Sequence, residues 1–246
     1  FDVIVTGNIF GDILSDEASS TSEIEGEILN RSSIQSSIKR EFGLIADNRK
    51  VSPAENGIAE VMIDLYKSYD QPLTHRELFR WHSIIVSNKH DLKEIGAYRS
   101  HLEPMQIISG PFHKPKVHFE APPSHIVQKE MSAFIKWFNS FNTDDSLCAL
   151  TKASIAHLYF ESIHPFEDGN GRIGRAIVMK SLSQSFKQPL VISVSDIIKK
   201  DKKQYYEALA LSNKSLDVTE WIIYFSNQIL KAHEYTMCAV KFLISK

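Results

Sequence analysis

Between two apolar segments with helical spacing lies the sequence His164-Pro165-Phe166-Glu167-Asp168-Gly169-Asn170-Gly171-Arg172-Ile173-Gly174-Arg175. This position predicts a loop that leads into the N-terminus of a helix. Two glycines flank Asn170 and allow successive backbone N–H groups to turn into one concavity. Because the first N–H groups of a helix have no intrahelical partner, a concavity of this kind at a helix start predicts an anion site.

Several side chains of the same sequence suit nucleotide chemistry. Arg172 and Arg175 are three residues apart and share a face of the first helical turn, so their guanidinium groups favour a polyphosphate. Asp168 supplies an acidic oxygen where Mg²⁺ on a nucleotide would need one. His164 suits a general base near neutral pH, and Phe166 is expected to turn into the core and hold the loop.

Apolar residues recur with helical spacing through most of the remaining chain, which predicts an all-α fold. Thr74 is placed to cap a helix, and Pro122 and Pro123 are typical of a helix start. The predicted helices cover residues 58–66, 78–85, 124–141, 146–162, 172–186, 203–212 and 217–243.

One region interrupts this helical pattern. Between Arg99 and Pro122 the chain is rich in proline, glycine and histidine, and it contains short β-like runs at 105–108 and 116–119. Gly110 and Pro111 separate the two runs. The pattern predicts a β-hairpin on an otherwise helical body.

Composition bounds the class of protein. The chain has 246 residues, of which 43% are hydrophobic and 24% charged, and a formal net charge of -2 gives no general attraction to nucleic acid or to an anionic membrane. Neither an apolar run of ~18 residues nor a signal-peptide pattern is evident. Cys148 and Cys238 lie in apolar stretches without a CxxC spacing, which predicts buried thiols. We therefore expect a cytoplasmic protein.

At every specified position, residues 164–175 resemble the signature of the Fic family, H-x-F-x-[D/E]-G-N-G-R-x-x-R. The resemblance covers about 21–240 and implies a mainly helical Fic fold with a small β-hairpin flap. It implies a protein adenylyltransferase, which transfers AMP from ATP to a Ser, Thr or Tyr hydroxyl of a target protein and uses Mg²⁺. The flap, residues 103–120, would hold the target by pairing with its backbone.

The resemblance also implies roles for single residues. His164 would deprotonate the target hydroxyl, and Asp168 would coordinate Mg²⁺. The related Doc kinases have a lysine where this chain has Gly171, which favours nucleotidyl transfer. Tyr205 and Tyr206 lie in a segment that borders the adenine in the family, and the sequence leaves open which one faces it. The residues expected to bind the phosphates are Gly169, Asn170, Gly171, Arg172 and Arg175.

An inhibitory element of the same family precedes the catalytic domain. The sequence Thr21-Ser22-Glu23-Ile24-Glu25-Gly26 is similar to the family's pattern [S/T]-x-x-x-E-[G/N]. Thr21 and Glu25 would share a helical face with Leu29, whereas Glu23 and Glu27 would point to other faces. In the family the glutamate pairs with the arginine that corresponds to Arg175 and excludes a productive γ-phosphate.

The first eighteen residues, FDVIVTGNIFGDILSDEA, resemble a segment of the NAD-dependent β-decarboxylating dehydrogenases. In that family the aspartates corresponding to Asp12 and Asp16 help to bind a divalent metal. An isolated strand and helical turn cannot assemble such a site, so a fusion or a coincidence is the better interpretation. The expected organisation is 1–20 of unassigned origin, 21–45 as the inhibitory helix region, and 46–246 as the Fic catalytic domain with its C-terminal helices.

Alternative functions follow from the same residues. Glu25 could position a water for the removal of AMP from modified proteins, or the loop could serve transfer of another nucleotide or phosphate-containing group. A catalytically idle interaction module is a third class, which the combination of His164, Asp168 and two arginines disfavours. The expected partners are ATP and a target protein, without membrane or direct nucleic-acid binding. A homodimer is among the assemblies that the sequence allows.

Overall fold

The computed structural model describes residues 3–44, 46–47, 49–109, 116–140 and 148–245. Within these ranges the chain forms ten helices and two strands, so the expected all-α fold with one small hairpin is confirmed. In chain order the elements are α1 (Val3–Ile24), α2 (Arg31–Glu41), α3 (Pro53–Lys67), α4 (His75–Ile85), β1 (Gln106–Ser109), β2 (Lys116–Glu120), α5 (Ser124–Ser140), α6 (Ala149–Ile163), α7 (Asn170–Phe186), α8 (Val194–Lys200), α9 (Lys202–Ser212) and α10 (Thr219–Ile244).

Side-chain caps define where four helices begin. Asn30 caps α2, Ser52 caps α3, Thr74 caps α4 and Asp201 caps α9, and each accepts the N–H of the residue three positions later. In α3, Glu55 also accepts the N–H of Ser52, which completes a capping box. A cap of this type typically stabilises a helix by ~1 kcal/mol. The cap predicted at Thr74 is confirmed by its hydrogen bond from the N–H of Glu77.

The two central helices, α6 and α7, form the most extensive helix pair. Both are buried along most of their length, and helices α1, α3, α4, α5 and α10 pack against one or the other. The chain leaves α6 after Ile163 and enters α7 at Asn170. The predicted loop therefore connects the two most closely associated helices of the described residues.

The N-terminal segment differs from its expected form. In place of a strand and a short turn, α1 is a single helix of 22 residues that runs across the expected boundary at residue 20. Its apolar residues Leu14, Ala18 and Ile24 recur at helical spacing and are buried in the main core. The expectation of a strand is wrong because this helical stripe has a body to pack against.

Polar contacts also attach α1 to the body. The carboxylate of Glu17 is buried and accepts the main-chain N–H and the hydroxyl of Ser195 at the start of α8. Asp12 and Asp16 bind side chains of α2, namely Gln35 and Arg31. The two aspartates thus have structural partners within the helical body.

The predicted hairpin strands are confirmed. Strands β1 and β2 pair antiparallel, with Gln106 opposite Glu120 and Ile107 opposite Phe119, and the register shifts after Ile107. The turn predicted at Gly110 and Pro111 lies outside the described residues, as does the expected start of a helix at 146.

Two further expectations concern the surface. Both cysteines are exposed, contrary to the prediction of buried thiols, because Cys148 precedes the first residue of α6 and Cys238 lies on the outward face of α10. In the described part of the chain, no helix combines the length and the apolarity that crossing a membrane requires.

Candidate active site

The backbone at His164 adopts a conformation that is uncommon for a residue other than glycine. His164 ends α6 in the left-handed region, with φ 48° and ψ 61°, and its N–H donates to the carbonyl of Phe160 at 3.0 Å. This turn directs the chain from α6 into the loop and leaves the imidazole 14% exposed. A left-handed non-glycine residue at a functional position is held by its surroundings, which are described below.

Phe166 anchors the loop in the core, as predicted. Its ring is fully buried and stacks on the His82 ring, with 4.2 Å between ring centroids and 8° between planes. His82 in turn accepts the N–H of Gly96 through Nδ1 at 3.0 Å. Burial lowers the pKa of His82 to about 4, so the ring is neutral and stacks as an apolar surface at neutral pH.

The side chain of Asn170 closes the loop. Its carboxamide accepts the N–H of Phe166 at 2.9 Å and donates to the carbonyl of Phe166 at 2.8 Å. Because both ends of the carboxamide are engaged, Asn170 shapes the loop with its side chain. Binding of an α-phosphate by this residue would therefore use its main-chain N–H.

The first turn of α7 has the features of an anion site. Gly169 precedes the helix in a left-handed conformation, with φ 83°, and the N–H of Ile173 donates to the carbonyl of Gly169 at 3.0 Å. The N–H groups of Asn170, Gly171 and Arg172 come before it and point along the helix axis. A helix N-terminus of this kind binds phosphate through both its N–H groups and its dipole.

The predicted contact between Glu25 and Arg175 is present. Arg175 is 1% exposed, and its Nη2 donates to Glu25 Oε1 at 2.7 Å and to the main-chain oxygen of Thr21 at 2.9 Å. Its Nε donates to Thr21 Oγ1 at 2.7 Å. Thr21 and Glu25 therefore meet one guanidinium group together, as their spacing indicated.

Glu25 also contacts the start of α7 itself. A Cβ atom added at Gly171 would lie 2.1 Å from Glu25 Oε1 and 3.0 Å from Arg175 Nη1. The carboxylate thus lies against the first helical turn, where an anion is favoured. Gly171 permits this approach because it has no side chain.

Glu27 was expected on another face of a continuing helix, and this expectation is wrong. Helix α1 ends at Ile24, and Gly26 is left-handed with φ 83°. The N–H of Gly26 donates to the carbonyl of Glu23 at 3.0 Å, and the N–H of Glu27 donates to the carbonyl of Ser22 at 3.0 Å. These two bonds form a Schellman motif, which reverses the chain at the helix end.

As a result of this reversal, Glu27 reaches the second arginine of the site. Glu27 Oε2 accepts a hydrogen bond from Arg172 Nη1 at 2.6 Å, and Glu27 Oε1 accepts one from Asn88 Nδ2 at 3.1 Å. Arg172 is 4% exposed and Glu27 18%. We call residues 21–27 the arginine-binding segment, because they contact both Arg172 and Arg175.

Both arginines retain unused donors. Within the described ranges, Arg172 Nε and Arg175 Nη1 are buried and have no hydrogen-bond partner. Buried guanidinium donors are usually satisfied, and unsatisfied ones are costly. The pair can therefore accept further oxygen ligands, and phosphate oxygens match the planar donor geometry of guanidinium.

Asp168 is the acidic residue of the loop. Its Oδ1 accepts the N–H of Gly169 at 2.6 Å, while its Oδ2 lies 3.5 Å from Arg172 Nη2 and 3.7 Å from Lys89 Nζ. The side chain is 35% exposed. In the described residues, no group of three or more acidic, histidine or cysteine side chains could form a metal cage. A single exposed carboxylate fits Mg²⁺ that arrives on a nucleotide, since such ions keep most of their ligands from water and phosphate.

The imidazole of His164 is neutral at physiological pH. Burial lowers its pKa to about 4, and the guanidinium of Arg99 acts in the same direction, whereas the Glu161 backbone, Glu25 and Asp168 act in the opposite direction. Glu161 Oε2 lies 3.8 Å from His164 Nδ1. A neutral imidazole is the form that accepts a proton.

The two candidate tyrosines have different environments. Tyr205 is 1% exposed, and its hydroxyl lies 2.8 Å from Nε2 of the buried His157, so this residue belongs to the core. Tyr206 is 37% exposed, which leaves it as the candidate to contact an adenine. Sequence reasoning did not identify Glu27, Arg99 or Asn88, although the glycine at 26 signalled the end of α1.

The described residues form a helical body in which a neutral histidine precedes a central helix whose first turn has the features of an anion site. The Fic/DOC family description matches residues 72–182, and a domain of unknown function, DUF4172, matches residues 6–44. Residues 72–182 of this chain therefore form a Fic/DOC family domain. The second match includes the arginine-binding segment and most of α1 and α2.

Individual proteins agree with this assignment. The chain is 38% identical over 60 residues to a probable protein adenylyltransferase of Aquifex aeolicus (strain VF5), which is 24% of this chain and 18% of the relative. It is 36% identical over 84 residues to the protein adenylyltransferase Fic of Drosophila mojavensis, which is 34% of this chain and 16% of the relative. The chain thus covers less than a fifth of the length of these relatives. A crystal structure of a Fic family protein from Desulfovibrio desulfuricans G20 shares the fold over 95% of this chain and 65% of its own, with a TM-score of 0.66 at 22% identity.

Proposed function

We propose that this protein transfers AMP from ATP to a Ser, Thr or Tyr hydroxyl of a target protein, and that residues 21–27 restrain the reaction. One observation carries the proposal. A neutral His164 lies beside the start of α7, where unpaired main-chain N–H groups and the unused donors of Arg172 and Arg175 converge. The names of the relatives from Aquifex aeolicus and Drosophila mojavensis support the same activity.

The reaction follows from these groups. The imidazole of His164 takes the proton of the target hydroxyl, and the hydroxyl oxygen forms a bond to the α-phosphorus of ATP. The bond between the α-phosphorus and the oxygen that leads to the β-phosphate breaks, and its electron pair leaves with pyrophosphate. Negative charge on the α-phosphate is stabilised by the N–H groups of Gly171 and its neighbours, which are already oriented before reaction.

Arg172 and Arg175 bind the phosphates that leave. Their planar donors suit the β- and γ-phosphate oxygens, and their burial strengthens each contact because little water competes. Asp168 would hold Mg²⁺ carried by the nucleotide, and this ion would neutralise part of the phosphate charge. Tyr206 is the exposed ring that borders the adenine.

The hairpin is the proposed contact for the target. A two-stranded sheet has unpaired backbone groups along its edges, and an extended target segment can add to such an edge as a further strand. Recognition by backbone hydrogen bonds tolerates different target sequences. The hydroxyl to be modified would be presented to His164 from this paired segment.

The restraint acts through both arginines. Glu25 engages Arg175 at 2.7 Å and Glu27 engages Arg172 at 2.6 Å, so two carboxylates hold the guanidinium groups that ATP phosphates need. Carboxylates and phosphates compete for the same planar donors. Thr21 adds two hydrogen bonds from Arg175 and thereby fixes the arginine in its restrained position.

Intact-mass spectrometry tests the proposal directly. The purified protein is incubated with Mg-ATP, with and without a cell lysate, and the expected product carries one added AMP on the enzyme or on a lysate protein. The His164→Ala variant serves as the control and should give no product. Addition of a phosphate group alone, or no addition by either the wild type or a Glu25→Ala variant, would contradict AMP transfer. Incubation with an AMP-modified protein separates the forward reaction from removal of AMP.

A further inference from the structure

Arg99 is a buried cation whose partners are not carboxylates. It lies in the connection between α4 and β1 and is 2% exposed. In the described part of the chain, no carboxylate lies within ion-pair distance of its guanidinium group. Arginine is almost never fully buried unless it is paired, because desolvation of the charge is costly. Burial accordingly lowers the pKa of Arg99.

The guanidinium group binds both peptide groups that flank the His164 Cα atom. Its Nε donates to the carbonyl of His164 at 2.8 Å, and its Nη2 donates to the carbonyl of Ile163 at 3.3 Å. The main-chain N–H of Arg99 also donates to the carbonyl of Pro165 at 2.9 Å. Because these peptide groups define the φ and ψ of His164, Arg99 stabilises its left-handed conformation.

The hydrogen bonds from Arg99 stabilise the C-terminal end of α6. The last carbonyls of a helix have no intrahelical partner, and a cation near them is favoured by the helix dipole. A left-handed conformation is unfavourable for a residue with a side chain, because its Cβ atom crowds the following carbonyl oxygen. The hydrogen bonds from Arg99 offset part of that cost at the residue that carries the base.

The other side of the guanidinium group binds the chain that leaves the hairpin. Arg99 Nη2 donates to the carbonyl of Pro122 at 2.5 Å, and Nη1 donates to Ser124 Oγ at 2.9 Å. Pro122 follows β2 by two residues, and Ser124 is the first residue of α5. One side chain therefore connects the exit of the hairpin to the peptide groups of His164.

We infer that Arg99 is a positioning residue, which holds His164 and the base of the hairpin in a fixed relation so that a hydroxyl presented by the hairpin meets the imidazole. This inference rests on the proposed function of His164 and the hairpin. It does not place Arg99 in contact with substrate. The role of Arg99 is to fix the position of the His164 imidazole relative to a target segment bound at the hairpin.

The charge of Arg99 gives a readout that a purely structural role would not change. The charged groups that affect His164 are Arg99 on the connection between α4 and β1, Glu25 after the end of α1 and Asp168 in the loop. The titratable Glu161 on α6 also faces His164, and its backbone acts to raise the pKa of His164. Arg99 acts to lower the pKa of His164, so removal of its charge raises that pKa. The acidic limb of the pH–rate profile then moves to higher pH.

Two substitutions separate charge from geometry. Arg99→Gln removes the positive charge and also the set of hydrogen bonds that the guanidinium group makes. Arg99→Lys keeps the charge, but one ammonium group cannot reach all four acceptors. Both variants should lose AMP transfer by roughly 10- to 100-fold, the cost of a displacement of ~1 Å in a catalytic group, with ATP affinity unchanged within about twofold. Only Arg99→Gln should raise the pKa of His164, measured by NMR titration of histidine-labelled protein.

A matched control is Arg49→Gln, which removes an arginine that is 48% exposed and pairs with Asp47 away from the site. It should change neither the rate nor the titration of His164. Ser124→Ala keeps the guanidinium group and removes a single acceptor at the hairpin end, so the titration of His164 should remain as in the wild type.

Three results would overturn the inference. One is a rate for Arg99→Lys above about half of the wild-type rate. Another is a loss of ATP affinity that matches the loss of rate. The third is an unchanged His164 titration in Arg99→Gln. If the wild type itself does not transfer AMP, the proposed function fails, while the titration of His164 in the Arg99 and Ser124 variants still tests the positioning role.

Discussion

Glu27 pairs with Arg172 at 2.6 Å, and Glu25 pairs with Arg175, which lies one helical turn later on α7, at 2.7 Å. The two acidic residues are separated by Gly26, and the two arginines lie three residues apart on α7. Because the chain reverses at Gly26, Glu25 and Glu27 each contact a different arginine of α7. Each expected phosphate-binding arginine therefore has its own carboxylate partner in the structure.

This arrangement predicts the response to removal of single acidic residues. Glu25→Ala should raise self-modification by about tenfold, which corresponds to ~1.4 kcal/mol, and Glu27→Ala should raise it by about threefold or more, because each frees one arginine. Glu23→Ala is the control, since the exposed Glu23 pairs with Lys199 at 3.1 Å and contacts neither arginine. The rate of AMP incorporation measures the effect. Equal rates for the three variants would rule out specific restraint by these pairs.

The turn itself can be tested at Gly26. Alanine in a left-handed conformation costs roughly 1–2 kcal/mol, so Gly26→Ala should weaken both pairs together and activate self-modification without removing a charge. Gly43→Ala is a matched control, because Gly43 ends α2 in a similar left-handed turn, with φ 69° and open space around the added Cβ. Activation by Gly43→Ala to the same extent would show that loss of stability, and not release of the arginines, is the cause.

Loss of the base should separate chemistry from binding. His164→Ala should reduce AMP transfer by ~10²–10⁴-fold, while Mg-ATP affinity stays close to that of the wild type, because the imidazole acts on the hydroxyl. Calorimetry gives the affinity and intact mass gives the rate. His233→Ala, on the exposed face of α10, is the control. A His164→Ala variant with more than about a tenth of the wild-type rate would exclude a general-base role.

Asp168→Ala should make transfer both very slow and insensitive to Mg²⁺, because the loop loses the carboxylate that suits the ion. The control is Glu167→Ala, since Glu167 accepts the main-chain N–H of Lys93 at 2.9 Å and has a structural role. Rates are measured across a Mg²⁺ titration. Coincident titration curves for wild type and Asp168→Ala would refute the metal assignment.

Buried titratable groups predict an optimum of stability near pH 6.5. Burial lowers the pKa of His82 and His164 from 6.5 to about 4 and that of His157 to about 3, whereas burial raises the pKa of Glu17 from 4.5 to about 7 and that of Glu161 to about 8. As the pH falls below 6.5, the histidines of the unfolded chain become protonated, whereas the buried histidines of the native protein stay neutral. The free energy of unfolding therefore decreases.

Above pH 6.5 the dependence of the unfolding free energy on pH changes sign. The native carboxyl groups of Glu17 and Glu161 still hold protons that the unfolded chain has already released, so the unfolding free energy decreases as the pH rises towards 8. Urea unfolding between pH 5 and 8.5 measures this profile. Glu17→Gln should flatten the alkaline side, and a profile that rises steadily to pH 8 would contradict the assignment of these buried groups.

Sequence reasoning predicted the helical fold because apolar residues repeat with helical spacing in long segments, and it missed α8 because seven residues are too few to display that spacing. It predicted the contact between Glu25 and Arg175 from a motif. It placed Glu27 wrongly because helical geometry was extended past Gly26, where the helix ends. Arg99 was missed because three of its four side-chain partners are main-chain carbonyls, which no side-chain pattern reveals.

The attachment of α1 to α8 through Glu17 and Ser195 has a thermodynamic consequence. If ATP and residues 21–27 compete for the same two arginines, as proposed above, nucleotide binding and detachment of this helix end are linked equilibria. A ligand that draws α1 away from α8 must raise ATP affinity by the same factor by which ATP raises the affinity for that ligand. Amide hydrogen exchange at the end of α1 would then report nucleotide occupancy.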